Sequence, residues 1–318
     1  MTREQFLKIA GGLTLGAALP SLHGCGPKPG PKTHNWAGNI EYATTDLRTP
    51  ARLDEIPALV KELAHVKAQG TCHCFNRIAD SKDVLLSMRQ FNKVVAIDKA
   101  KGTVTVEAGI KYGELAPQLH QAGFALHNLA SLPHISVAGS VATATHGSGV
   151  NNGNLATAVE GVTFIDASGH AVSLSREKDG DKFNGAVVAL GALGVVTQVT
   201  LKLVPTFEAR QWVFEKLPLD QLYNNFDNIM SAGYSVSLFT DWQADSVNEV
   251  WVKSKADMIQ PAPDGKTFYG AKPATRDMHP IAANDAVMLV GNGFHEVRNQ
   301  TNERMIAVFK GYADAGIV

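Results

Sequence analysis

Small residues dominate positions 131–153. Ala138, Gly139, Ser140, Ala142, Thr143, Ala144, Thr145, Gly147, Ser148, Gly149 and Gly153 make up much of the tract, and no lysine or arginine occurs between Lys111 and Arg176. Short side chains let another backbone or a ligand approach the main chain closely. Main-chain N–H groups, with the hydroxyls of Ser136, Thr143 and Thr145, suit a pyrophosphate held by neutral donors and peptide dipoles. Tight packing of a helix on a sheet selects the same composition, so the tract by itself leaves both readings open.

Familiar nucleotide and nucleophile signatures are absent. Gly147-Ser148-Gly149-Val150-Asn151-Asn152 fails the G-x-G-x-x-G fingerprint because Asn152 stands at the third glycine. There is no P-loop lysine and no G-x-S-x-G elbow.

A second segment, Gly70-Thr71-Cys72-His73-Cys74-Phe75-Asn76, starts on a glycine after the short apolar stretch Val66–Gln69. His73 has three readings. It can be an ordinary hydrogen-bonded loop residue, a general base, or a neutral imidazole nucleophile bonding the 8α-methyl carbon of a flavin. Spacing does not choose among them. Cys72 and Cys74 are too close for ordinary disulfide geometry in an extended loop. No second Cys/His cluster at ligand spacing completes a zinc site, so no metal is expected.

The chain has 318 residues, 45% apolar and 19% charged, with formal net charge −1. That suffices for two domains with a sizeable core. It provides no field for nucleic acid, which is not an expected partner. Residues 1–25 read as an export signal. Arg3 and Lys8 precede the apolar stretch Ile9–Leu22, and Leu22-His23-Gly24-Cys25 resembles a lipoprotein cleavage box with Cys25 as the lipid-bearing residue. Thr2–Lys8 also resembles a twin-arginine signal, with Glu4 at the second arginine. An exported, periplasmic or membrane-anchored bacterial protein is expected, or a cytoplasmic one if the segment is no signal. Residues 26–34 form a Pro/Gly tether.

Between 35 and 205 the pattern predicts a helix capped by Asp54 and carrying Ile56, Leu59, Val60 and Leu63, then a strand at Val66–Gln69. Hairpins follow at Val94–Asp98 with Thr103–Ala108, and at Val162–Ile165 with Ala171–Leu174. A helix is expected at Tyr112–Ala122 and a strand at Val195–Val204, with a domain boundary near Pro205. Strands at Gln211–Lys216, Ser235–Phe239 and Val250–Lys253, with a helix at Leu219–Ala232, predict an α+β layer.

With these segments in view, the chain resembles the bacterial alditol (xylitol) oxidases of the vanillyl-alcohol-oxidase flavoprotein family. The matching stretches are Asn35–Ile40, Gly70–Asn76, Ser131–Leu155, Leu190–Thr197 and Tyr234–Trp242. The resemblance implies an α+β fold: a PCMH-type FAD-binding domain of two α/β subdomains over 35–205, then a partial α+β substrate domain with an antiparallel sheet over 206–287. It implies that His73 carries FAD covalently, within a loop formed by Gly70, Thr71, Cys72 and Cys74. Cys74 replaces the family's usual serine. Ser131 matches a serine beside the flavin that contacts substrate. Ser136, Gly139, Thr143, Ala144, Thr145 and His146 match the pyrophosphate cradle, Val196 a backbone contact near the adenine, and Ala130 a position that gates oxygen. The implied substrates are small polyols such as xylitol and sorbitol, with oxygen as acceptor and hydrogen peroxide as product. An aldonolactone oxidase or dehydrogenase of the same family is the alternative activity. Similarity fades after His279-Pro280 and is lost after Val287. Residues 288–318 are therefore expected to be an unmatched tail of a truncated or frame-shifted reading, which also allows a flavin-binding chain without turnover.

Overall fold

Three short parallel strands receive the chain first, and antiparallel sheets take the rest. The computed structural model describes residues 33–130, 132–256, 258, 267–275 and the strand 294–298. The export segment with Cys25, most of the tether, Ser131 and residues 276–293 lie outside the described residues. The described residues belong to one compact unit.

Strands β1 (Leu47–Arg48), β2 (Val66–Gln69) and β3 (Val84–Ser87) form a parallel sheet in the order β1-β3-β2. Central β3 is buried at every position, as expected of a strand covered on both faces. The helix Ile56–Glu62 supplies Ile56 and Val60 to this layer. Asp54 does not cap that helix. It pairs with Arg52 at 2.7 Å, and a 3₁₀ turn over Leu53–Glu55 leads into the helix, with proline in its first turn.

A five-stranded antiparallel sheet follows. It comprises β4 (Val94–Asp98), β5 (Thr103–Glu107), β7 (Val159–Ile165), β8 (Ala171–Ser175) and β9 (Val195–Lys202), in the order β4-β5-β9-β7-β8. Both expected hairpins form. The alternation Val195, Thr197, Val199, Leu201 turns one face of β9 inward. That face packs with Val104, Val106, Val162 and Phe164 against Leu115 and Leu119 of the helix Tyr112–Gln121, and against Val137, Val141 and Phe183. Two-residue strands β6 (Phe124–Ala125) and β10 (Val204–Pro205) pair antiparallel, ending the expected long strand early. The helix Arg176–Val187, to which the sequence pattern assigned nothing, is capped by Ser175 Oγ accepting from Lys178 N.

Beyond Pro205 lies the second antiparallel sheet, β12 (Ser235–Phe239), β13 (Ser246–Lys255), β11 (Glu208–Pro218) and β14 (Lys272–Pro273) in that order. Its core is Phe214, Leu217, Ile229, Val236, Val250, Val252 and Phe268. The backbone of β15 (Phe294–Arg298), inside the expected tail, pairs with β11. The expected single helix 219–232 is two, Leu219–Asn224 and Phe226–Met230. Asn225 between them leaves helical geometry at φ −130° and ψ 26°, and its Nδ2 donates to Gln221 O at 3.1 Å.

Candidate functional site

The loop after β2 is held from three sides. Gly70 faces Ser136, where a Cβ would overlap the Ser136 hydroxyl. A side chain at position 70 would have to displace that hydroxyl. Ser136 N donates to Thr71 Oγ1 at 3.1 Å, so the two sequence segments expected to form one site meet directly. Cys72 adopts φ +63°, left-handed backbone that a non-glycine residue adopts at a cost of about 1–2 kcal/mol. Its carbonyl accepts from Trp36 N at 2.9 Å, and the Cys74 carbonyl accepts from Asn35 Nδ2 at 3.1 Å. Arg89 Nε donates to Gly70 O at 3.2 Å. These bonds brace the strained turn.

His73 stands at the centre of an aromatic stack. Its ring lies 4.8 Å from Trp36 with an interplanar angle of 27°, and 4.6 Å from His134. The two histidine Nε2 atoms are 2.6 Å apart. Burial pushes the His73 pKa down to about 4, far below the ordinary imidazole range. His134 is also pushed down to about 4, first by burial, then by the charge of His73 and of Lys111. Both rings are therefore neutral near pH 7, the form in which an imidazole nitrogen keeps a lone pair. Cys74, half-buried, has its thiol pKa raised by burial first and by Cys72 second, so it stays protonated.

The small-residue tract begins with Ser136, which is 2% exposed and precedes the short helix Val137–Ala142. Gly139 and Thr143 are exposed, as is His146. A Cβ on Gly139 would lie 2.7 Å from Ser136 Oγ. The Thr143 hydroxyl donates back to Gly139 O at 3.0 Å, so that proton is committed within the tract. Thr145 N donates to Ser140 O. Ala144 has φ +54°. Val196 lies on β9 opposite Phe164, and it and Ala138 both pack against the core of Ile56, Leu86 and Val195. Farther along, Ser148 Oγ bonds Ser235 Oγ, and Asn152 Nδ2 donates to Tyr234 O at 3.1 Å. These bonds fasten the tract to the second sheet.

The structure thus brings together Gly70, Thr71, Cys72, His73, Cys74, Ser136 and Gly139. Val196 lies on β9 against the core, and Ser131 is outside the described residues. Sequence reading gave no role to Trp36, Asn35, Arg89 or His134. Trp36 and His134 lie inside matched stretches, and an aromatic and a second histidine there were the available signals. The set fits FAD on its own terms. A neutral half-buried imidazole, a glycine-tight contact between two loops and an exposed face of small residues suit a flavin nucleotide held without cations.

Comparison with known proteins agrees. Residues 47–175 match the FAD binding domain family. The chain is 46% identical over 250 residues to the alditol oxidase of Streptomyces sp. (strain IKD472 / FERM P-14339), covering 78% of this chain and 58% of that protein. It is 31% identical over 240 residues to the L-gulono-1,4-lactone dehydrogenase of Mycobacterium tuberculosis, covering 74% of this chain and 55% of the relative. The chain therefore spans little more than half the length of either. Among solved structures, cholesterol oxidase from B. sterolicum superposes with TM-score 0.63 over 76% of this chain and 51% of its own. At 17% identity that likeness shows the fold alone. Residues 47–175 thus carry an FAD binding domain, and the chain is similar to alditol oxidase over 78% of its length.

Proposed function

We propose that the chain provides the flavin site of an FAD-dependent oxidase that converts the terminal hydroxyl of alditols such as xylitol and sorbitol. The contact of Thr71 with Ser136, which brings the His73 loop against the small-residue tract, carries this reading. When bound, the flavin supplies hydride acceptance at N5 and transfer of the electron pair to oxygen, yielding hydrogen peroxide. The chain's own residues position it. His73 anchors the cofactor covalently, with Gly70, Thr71, Cys72 and Cys74 fixing the loop. Ser136, Gly139, Thr143, Ala144, Thr145 and His146 line the pyrophosphate, Val196 lies toward the adenine, and Ser131 touches the substrate. The 46% identity to an alditol oxidase supports this substrate class. The 31% identity to a lactone dehydrogenase supports an aldonolactone as the second reading. Residues 1–25 are read as an export signal with Cys25 lipidated, which labelled palmitate with a Cys25→Ala control would test.

Denaturing electrophoresis of the full chain under ultraviolet light tests the anchor. A fluorescent band that His73→Ala abolishes is the expected result, and complete loss of flavin on denaturation would refute covalency. Peroxide release, and reduction of an artificial electron acceptor, with xylitol and sorbitol against L-gulono-1,4-lactone then test the activity. Turnover of the lactone alone would favour the second reading, and bound flavin without turnover of either would refute both.

A further inference from the structure

His134 is 1% exposed, and its Nε2 lies 2.6 Å from His73 Nε2. Two ring nitrogens at that distance share one proton, one donating and the other accepting. Trp36 stacked on His73, and the bonds to the carbonyls of Cys72 and Cys74, hold the ring in this pose. Building on the reading of His73 as flavin anchor, we propose that His134 is a positioning residue. Its Nε2 accepts the proton on His73 Nε2, which fixes the lone pair on His73 Nδ1 as the nucleophile.

What this direction of the bond means for Nδ1 follows from counting lone pairs. A neutral imidazole has one N–H and one lone pair. With the Nε2 proton directed at His134, the pair must reside on Nδ1. The opposite arrangement, with His134 donating, would protonate Nδ1 and silence it. Attachment forms one bond from Nδ1 to the flavin 8α carbon. One C–H bond at that carbon and the N–H bond at Nε2 break. The two protons and two electrons released are taken up by dioxygen as hydrogen peroxide. With that proton gone, the alkylated His73 ring ends neutral, the form that burial favours.

The test uses the full chain, produced under riboflavin limitation and then supplied with FAD. Nitrogen-15 histidine spectra before FAD is added should show the His73 proton on Nε2. After addition, His134→Ala should attach flavin at least tenfold more slowly than wild type while taking up FAD non-covalently to the same extent. His134→Gln, whose amide oxygen accepts an N–H, should restore most of the rate. A His73 proton on Nδ1 overturns the proposal, as does attachment at the wild-type rate in His134→Ala. If His134→Ala fails to fold, the spectra and the glutamine variant still decide. Release of all flavin from denatured wild type overturns the anchoring reading itself. That outcome is distinct from failure at His134, because the tautomer is read before any flavin is present.

Discussion

The two walls of the site are specified in opposite ways. The His73 loop is held by side chains: Trp36 stacks on it, Asn35 and Arg89 bond its carbonyls, and His134 meets its ring. The wall from Ser136 to Gly149 is held by the lack of side chains, which lets Ser136, Asn128, Asn152 and the Tyr234 carbonyl approach its backbone. Deleting atoms should therefore damage the first wall, and adding atoms should damage the second.

The strongest expected break is Gly149→Ala. Gly149 has φ +109°, and a Cβ there would lie 2.5 Å from Tyr234 O while overlapping the Asn152 amide. Backbone strain and overpacking together should cost roughly 3 kcal/mol. The clash lies where the tract meets the second sheet, so flavin content should fall with the urea midpoint. A variant of wild-type stability would show that this wall tolerates added atoms. Gly70→Ala tests the seam between the walls and should cost about 1–3 kcal/mol. Its Cβ would overlap only the Ser136 hydroxyl and would lie 3.5 Å from Ser136 Cβ, an ordinary contact. Adding Ser136→Ala should then recover most of the loss. Additive effects in that double-mutant cycle would mean the two positions do not collide.

The histidine wall has a pH signature. Both His73 and His134 are pushed down to about 4, from an ordinary value near 6.5. The unfolded chain therefore binds more protons than the folded one between those values, and stability rises with pH across that window. Above about pH 6.5 the pair is neutral in both states and contributes no slope. As pH falls from about 6.5 toward 4 the stability should drop, and the drop is complete below the folded value. Urea midpoints across pH 4–7 measure this. His134→Gln should flatten the slope, and an unchanged slope would assign the pH dependence to other groups.

The sequence revealed the two walls more readily than their meeting. Alternation in Thr103–Glu107 and Val195–Lys202 announced strands because one face of each is buried. The small-residue tract announced close approach without saying to what. Thr71 meeting Ser136, and His73 meeting His134 across 61 residues, arise from packing of the parallel layer on the antiparallel sheet. No local period encodes such contacts. The helix Arg176–Val187 escaped because Arg176, Glu177, Lys178, Asp179, Asp181 and Lys182 leave its first half without an apolar stripe, and Phe183, Ala186 and Val187 follow only after the kink at Gly180, φ +46°. The break at Asn225 escaped because a single residue leaves helical geometry there while its amide still donates to Gln221 O. At Asp54 an aspartate of the right type found Arg52 instead of the helix backbone.

The smallest expected effect has the opposite sign to Gly149→Ala, within the same wall. Ala144 sits at φ +54° just past the helix Val137–Ala142. Left-handed backbone costs an L-residue about 1–2 kcal/mol. Glycine would relieve that cost, offset by roughly 0.4–1 kcal/mol of added freedom in the unfolded chain. Ala144→Gly should thus raise stability by about 0.5–1 kcal/mol, read as a higher urea midpoint at unchanged slope. The Ala144 amide already donates to Val141 O at 3.2 Å, so glycine keeps that bond and changes only the strain. A lower midpoint would mean that the Ala144 methyl group packs usefully. The wall would then be specified by side chains at that point as well, and its contrast with the His73 loop would narrow.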